Sequence, residues 1–473
     1  MKILYVAAEV APFIKTGGLA DVAGSLPKTI KKMGHDIRVV LPLHSSIAEE
    51  YKEKMKKVHE FYVDLNWRRQ YVGVLELVHE GVLFYFLDNE YYFNRNKVYG
   101  EVDDGERYAY FSKAVTLLPK EMDFKPDVIH TNDWHSGLVN LFIHEFAKGD
   151  SYYENIKKIF TIHNLKYQGV FPPVVLGEVM GVSLEYFEES AIKYFDDINF
   201  MKAGIVYSDV INTVSKSYAN EIKFEFFGEG LEGILAYYAD KLFGIVNGID
   251  YEVWNPKTDP SVKYNFDLKT IKDKAKNKKE LQEMYNLPVK KDVPLIAMVS
   301  RLSDMKGLDL IEHILDELLQ EDIQFVLLGT GEEEFENMFK HYQWKYPDKM
   351  AANIYFSEKE AHQIYAGADM FLMPSMVEPC GLSQLFALRY GTIPIVREVG
   401  GLKDTVIPYN KFTNEGNGFS FAMYNAHDML FKIKEAISLY RDDKKAWNNL
   451  IKRAMKSDNS WEASAKEYLK LYK

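Results

Sequence analysis

Cysteine is almost missing from this chain. Cys380 is the only one in 473 residues, which excludes an intrachain disulfide and a zinc site built on four thiolates. A reducing cytoplasm is the expected compartment. Positive charge is also short. The formal net charge is −11, whereas a nucleic-acid binder carries a basic face; no nucleic-acid partner is expected, and any phosphate site must be a local gathering of Lys, Arg and backbone N–H groups. No apolar run reaches the roughly eighteen uninterrupted residues of a membrane span, so no membrane partner is expected either. The start, Lys2 followed by ILYVAA, mimics a signal peptide, but Glu9 and Pro12 interrupt it and no cleavage region follows. Neither G-x-G-x-x-G nor G-x-x-x-x-G-K-[ST] opens the first helix, which leaves a nicotinamide fingerprint with poor support and excludes a P-loop there. The acidic pairs Asp103–Asp104 and Asp196–Asp197 have no partners at ligand spacing and read as solvated loops.

What is present is an ordinary soluble composition, 47% apolar and 27% charged, with enough core for two or three domains. Short apolar runs read as strands at 2–8, 36–42, 82–87, 127–132, 158–164 and 209–214. Segments with apolar residues every three or four positions lie between several of them, as in LADVAGSLPKTIKKMG. A second series runs at 294–300, 323–329, 352–356, 369–375 and 393–398. Such alternation predicts an α/β protein with two doubly wound parallel sheets. The break falls near GIVNGIDYEVWNPKTDP (244–260), and the lysine-rich stretch after it reads as a solvated helical face. GGLAD (17–21) finds an echo in GGLKD (400–404).

The chemistry-bearing residues sit just after predicted strands, where open α/β sheets bind ligands. In FIKTGGLADVAG, Lys15 precedes Gly17 and Gly18 at a helix start. Paired glycines allow positive φ and close backbone approach, and a helix N-terminus with a lysine suits a phosphate; a tight turn with a surface lysine is the competing reading. Arg301 and Lys306 in VSRLSDMKGLDL either solvate a loop or grip a diphosphate. Glu378, among apolar residues in MPSMVEPCGLSQ, either accepts bonds from a local turn or holds a sugar hydroxyl. Cys380 reads as a small buried filler, and Ser383 as a helix cap, an anion ligand or both. His163 ends one strand, and Asp133, ending another in NDWH, reads as a cap for the next helix.

Taken together, AAEVAPFIKTGGLADVAGSLP, YFNRNKVYG, DDGERYAYFSKA, HTNDWHSGL, FTIHNLKYQGVFP, GIVNGIDYEVWNP, SRLSDMKGLDL and PSMVEPCGLSQLFALRYG resemble the bacterial-type glycogen synthases and starch synthases over almost the whole chain. The resemblance implies two Rossmann-like domains facing across a deep cleft (the GT-B arrangement), at 1–245 and 246–456, with 457–473 as a helix returning to the first. It implies transfer of glucose from ADP-glucose to the nonreducing 4-hydroxyl of an α-1,4-glucan, with retention and without a metal. By the same resemblance Arg301 and Lys306 bind the diphosphate, Lys15, Gly17 and Gly18 face the donor, and Glu378 meets the donor sugar beside Cys380, Gly381, Leu382 and Ser383. His163 lies below the anomeric carbon, Asp21 and Asn247 are polar cleft residues, Phe356 stacks on the base, and Arg95 and Tyr99 belong to a flexible loop. There are departures. Val399 stands where a hydroxyl residue is frequent, and Phe386 stands where broader relatives carry a second carboxylate. Oligomeric state and base preference stay open.

Overall fold

The computed structural model describes residues 1–473, which pack as two units, Met1–Gly248 with Trp461–Lys473, and Ile249–Ser460. In the first unit the strands are β1 (Lys2–Val6), β2 (Asp36–Pro42), β3 (Lys56–Leu65), β4 (Arg68–His79), β5 (Val82–Asp88), β6 (Val128–Asn132) and β7 (Lys157–Ile162). Three short strands, β8 (Val170–Phe171), β9 (Lys193–Tyr194) and β10 (Asp197–Asn199), form a small antiparallel sheet, while β11 (Val210–Thr213) and β12 (Leu242–Gly244) complete the large one. The large sheet runs β12-β11-β7-β6-β1-β2-β5-β4-β3 and is parallel up to β5. Ile3, Leu4, Tyr5 and Val6 are all buried, as a parallel strand covered on both faces requires.

Helices supply that cover. The helix Gly18–Lys32 buries Leu19, Val22, Ala23, Leu26 and Ile30, one stripe at helical spacing. The last helix, Trp461–Tyr472, turns Trp461, Ala465, Tyr468 and Tyr472 into the same core as Ile3, Tyr5, Leu26 and Ile30.

The second unit holds β13 (Leu295–Val299), β14 (Gln324–Leu328), β15 (Met350–Asn353), β16 (Met370–Met373), β17 (Ile393–Arg397) and β18 (Phe419–Phe421) in one parallel sheet, ordered β15-β14-β13-β16-β17-β18. Counted within the unit this is 3-2-1-4-5-6, the dinucleotide-fold order, and β5-β2-β1-β6-β7-β11 repeats it in the first unit. The order reverses beside β1 and β6, and again beside β13 and β16. The loops leaving those four strands therefore flank the position where such sheets take ligands.

Some local expectations need correction. The hairpin β3–β4 and the strand β18 are absent from the sequence-derived list, although buried Phe61, Val63 and Leu65 alternate with exposed residues. The strand expected at 352–356 ends at Asn353, which releases Phe356 into the following loop. The lysine-rich stretch is not simply a solvated face. Lys274 Nζ donates to the carbonyls of Tyr365 (3.1 Å) and Ala366 (3.0 Å) and to Thr392 Oγ1 (2.7 Å), satisfying acceptors at the end of the helix Glu358–Gly367. Lys278 is buried against Asp369 at 2.7 Å.

Candidate active site

The loop leaving β1 is organised by a carboxylate. Glu9 is 3% exposed, and its Oε2 accepts the Thr16 N–H, the Thr16 hydroxyl (2.6 Å) and the Gly17 N–H (3.3 Å). Two backbone donors expected to face a phosphate are thus directed at a side chain of the protein. Neither glycine uses a left-handed conformation. Gly17 is extended at φ −154°, and a Cβ built on Gly18 meets no atom within 4 Å. The fold does not demand glycine at position 18; what its absent side chain provides is open space. Lys15 Nζ meets Asp21 Oδ1 at 2.7 Å, with the lysine side chain half-exposed.

The ends of β6 and β7 meet beside this loop's strand. Asp133 occupies the N-cap position of the helix Trp134–Ala147 but makes no capping bond. Its Oδ1 instead accepts the His163 N–H at 2.8 Å, across to the end of β7. Its backbone, at φ 54° and ψ 179°, lies in a region that is essentially glycine-only, and such strain collects at functional sites. Burial raises the Asp133 carboxyl to about 7, against the opposing bonds from the His163 and Asn164 N–H groups. Burial also drives His163 down to about 3, so the imidazole is neutral. His163 Nε2 lies 2.9 Å from Asn132 Oδ1. Asn132 Nδ2 donates to the Val6 carbonyl (2.9 Å), so Oδ1 is the acceptor and His163 carries its proton on Nε2. Nearby, Tyr99 packs on His135 with ring centres 4.3 Å apart, and burial raises its hydroxyl well above the usual value. Arg95 is tied to Asp103 Oδ2 (2.7 Å) and to the Tyr91 carbonyl. Asn247 is 6% exposed, and its Oδ1 has no hydrogen-bond partner.

In the second unit the loops leaving β13 and β16 bring two predicted residues into contact. Lys306 Nζ lies 2.7 Å from Glu378 Oε2, which also accepts the Ser375 hydroxyl at 2.9 Å. Glu378 is 8% exposed. Neither reading from sequence foresaw this: no backbone turn occupies Oε2, and a lysine and a serine do. Arg301 is exposed, and no carboxylate pairs with its guanidinium. Gly307 holds φ 70°, and its would-be Cβ would lie 2.2 Å from the Pro374 carbonyl oxygen. Gly400 and Gly401 would each place a Cβ 2.0 Å from a backbone oxygen, of Glu378 and Cys380 respectively. The echo motif GGLKD therefore clasps the Glu378–Cys380 backbone, and the Gly401 N–H donates to the Glu378 carbonyl at 3.2 Å. Cys380 is buried; Gly381 (φ 73°) and Leu382 lead into the helix Ser383–Arg389. Ser383 is no cap, since Leu382 holds that position. Phe356 stands 85% exposed after β15.

The chain is 58% identical to a glycogen synthase of Finegoldia magna, over 100% of its own length and 99% of the relative's. The chain belongs to the glycogen synthase family. A second family member, from Clostridium novyi, is 53% identical over 100% and 98% of the two lengths. The starch synthase catalytic domain model matches residues 2–237, and the group 1 glycosyl transferase model matches residues 280–457. The catalytic domain of Starch Synthase IV from Arabidopsis thaliana, solved with ADP and acarbose, superposes with a TM-score of 0.89 at 32% identity, covering 100% of this chain and 98% of that one. A sucrose-phosphate synthase from Thermosynechococcus elongatus (TM-score 0.61, 16% identity, 100% and 98% covered) shares the fold. This is a two-domain α/β glycosyltransferase of the GT-B kind.

Within this glycogen synthase family member, two residues carry more than their sequence reading assigned. Glu9 counted only as a break in an apolar run, yet a carboxylate in LYVAAEVAPF has to be paired once buried, and that was the available signal. Asp133 gave no comparable signal, because glycine-like backbone in an aspartate is not written in its neighbours. Phe386 is half-buried, its ring in an aromatic stack. Trp254 is sandwiched between it (3.6 Å between ring centres, 17°) and His362 (3.8 Å, 10°). No helix is long and apolar enough to cross a membrane.

Proposed function

We propose that this chain extends α-1,4-glucans by transferring glucose from ADP-glucose to a nonreducing 4-hydroxyl with retention, and that the predicted residues divide the work as follows. Arg301 and Lys306 neutralise the diphosphate as the bond from the anomeric carbon to the phosphate oxygen breaks and its electron pair leaves with ADP. Preorganised charges of this kind act because they are stronger in the transition state, and losing one costs about 10²–10³ in rate. Glu378, held by Lys306 and Ser375, orients the donor glucose, with Cys380, Gly381, Leu382 and Ser383 lining its loop. Lys15, Gly17 and Gly18 serve the donor from the first unit, Phe356 offers its exposed ring to the base, and His163 lies against the reacting carbon. Asp21, Arg95, Tyr99 and Asn247 complete the binding set. The acceptor oxygen attacks on the face the diphosphate leaves, and its proton passes to the departing phosphate oxygen. Retention follows without a protein nucleophile.

One observation carries this reading: Lys306 and Glu378 in contact at 2.7 Å, next to a loop whose Arg301 has no carboxylate partner. A cation left unpaired beside a part-buried ion pair is suited to an anionic ligand. The test offers ADP-glucose and UDP-glucose in parallel with glycogen, and sizes the products. Chain growth with α-linkage from ADP-glucose is expected. Release of free glucose without chain growth refutes the proposal, and transfer from UDP-glucose alone refutes its donor assignment.

A further inference from the structure

The last helix does more than close the core of the first unit, because it ends in two buried hydroxyls joined to a polar network. Tyr472 OH lies 2.7 Å from His130 Nδ1, and His130 Nε2 lies 2.6 Å from Thr161 Oγ1. Thr161 donates to Asn212 Oδ1, and Asn212 Nδ2 donates to Tyr468 OH at 3.2 Å. The directions are fixed by elimination. Thr161 spends its proton on Asn212, so it accepts from His130 Nε2–H; His130 Nδ1 is then an acceptor, and Tyr472 is its donor. Tyr472, His130, Thr161, Asn212 and Tyr468 form a one-way chain of neutral donors. Burial holds His130 down at about 3, in keeping with an uncharged ring.

A parallel set reaches the site. Tyr5 OH donates to Asn132 Oδ1 at 3.0 Å, the same oxygen that receives His163 Nε2–H. The two sets touch where the Tyr5 ring meets the His130 ring edge-on, 4.8 Å between centres. They also join through the backbone: Thr161 sits opposite Asn132, and its carbonyl accepts the Asp133 N–H at 2.9 Å. Every one of these side chains is buried in the first unit except His163, the member at the strand end.

We propose that Tyr472 and Tyr5 are positioning residues that set the orientation and tautomer of His163, so that the last helix governs the geometry of the active site in the first unit. The inference rests on the reading of His163 as a site residue. Removing the Tyr472 hydroxyl leaves His130 Nδ1 buried without its donor, and the ring can seek another partner only by turning, which breaks the bond to Thr161 two residues before His163. Buried networks of this kind fail as units.

The test compares Tyr472→Phe, Tyr5→Phe and His163→Ala in the full-length enzyme. ADP-glucose and glycogen are the substrates, kcat and KM are measured separately, and the side-chain ¹⁵N resonances of His163 are followed by NMR. Tyr472→Phe is expected to lower kcat by about tenfold with little change in KM for ADP-glucose, and to shift the His163 resonances away from the Nε2–H pattern. Tyr5→Phe should do the same by the shorter route, and it decides the matter should Tyr472→Phe not fold. A folded Tyr→Phe variant with unchanged kcat and unchanged His163 resonances, even if less heat-stable, overturns the positioning role. An active His163→Ala enzyme overturns the underlying site reading instead, so the two failures are told apart.

Discussion

Gly18→Ala separates folding from function more sharply than any other single change in this chain. Gly18 is the first residue of the helix Gly18–Lys32, its φ is not positive, and an added Cβ meets nothing within 4 Å. By backbone entropy alone alanine should stabilise the protein by about 0.5 kcal/mol. In a domain of this size that raises the melting temperature by about 1 °C. If the space over Gly18 belongs to the donor, the same methyl intrudes on it, and misplacement by about 1 Å costs on the order of 10² in rate. The expected result is an enzyme at least as stable as its parent with kcat/KM for ADP-glucose down by about 10². Gly401→Ala is the contrasting control. Its Cβ would lie 2.0 Å from the Cys380 carbonyl oxygen, so stability and activity should fall together. Differential scanning calorimetry and initial rates, on the same preparations, read both quantities. A Gly18→Ala enzyme with kcat/KM within about twofold of the parent shows that no substrate needs that space, and the role assigned to this loop fails.

Three further outcomes are expected. Lys306→Ala should lower kcat by about 10²–10³ in steady-state assays, and near-normal turnover refutes its part in leaving-group stabilisation. Glu9→Gln keeps the shape but removes the charge that three donors share; chemical denaturation should show a loss of about 1–2 kcal/mol, and an unchanged midpoint removes Glu9 as the organiser of the loop. Stability should fall between pH 7 and pH 5. His44 (about 4), His130 (about 3) and His163 (about 3) stay neutral when folded but protonate near 6.5 when unfolded, so the unfolded chain binds more protons across that window. Each then loses about 2 kcal/mol by pH 5. Asp133 has the opposite sign, because its raised folded value of about 7 favours the folded state as pH drops, returning about 2 kcal/mol. The net fall from these four groups, about 4 kcal/mol, should appear in urea midpoints at the two pH values, and a rise on acidification contradicts the buried neutral histidines.

Much of this molecule was legible because its strands are parallel and buried. A segment such as IQFVLLG announces itself, since covering both faces leaves nothing polar in the middle. Positions after strands then follow from topology, which is why Arg301 and Lys306 fall in the loop leaving β13, Glu378 in the loop leaving β16 and His163 directly after β7. The lost parts depend on contacts that no local pattern encodes. Lys274 looks like any lysine in KAKNKKELQEM until the carbonyls of Tyr365 and Ala366 arrive from a helix ninety residues away. Gly400 and Gly17 open nearly the same five-letter motif, yet one is wedged against the Glu378 backbone and the other is an unstrained cap. Asp133 looks like a routine cap, and only its backbone angles and its bond to His163 reveal the different task.

The aromatic sandwich around Trp254 has a consequence for any exchange at position 386. An acidic residue placed at position 386 would take the place of a ring whose centre lies 3.6 Å from that of Trp254, with His362 stacked on the far side and itself held by Asp259 at 2.6 Å. Such an exchange removes one of the two faces stacked on Trp254, so its cost is paid in aromatic packing at a half-buried position.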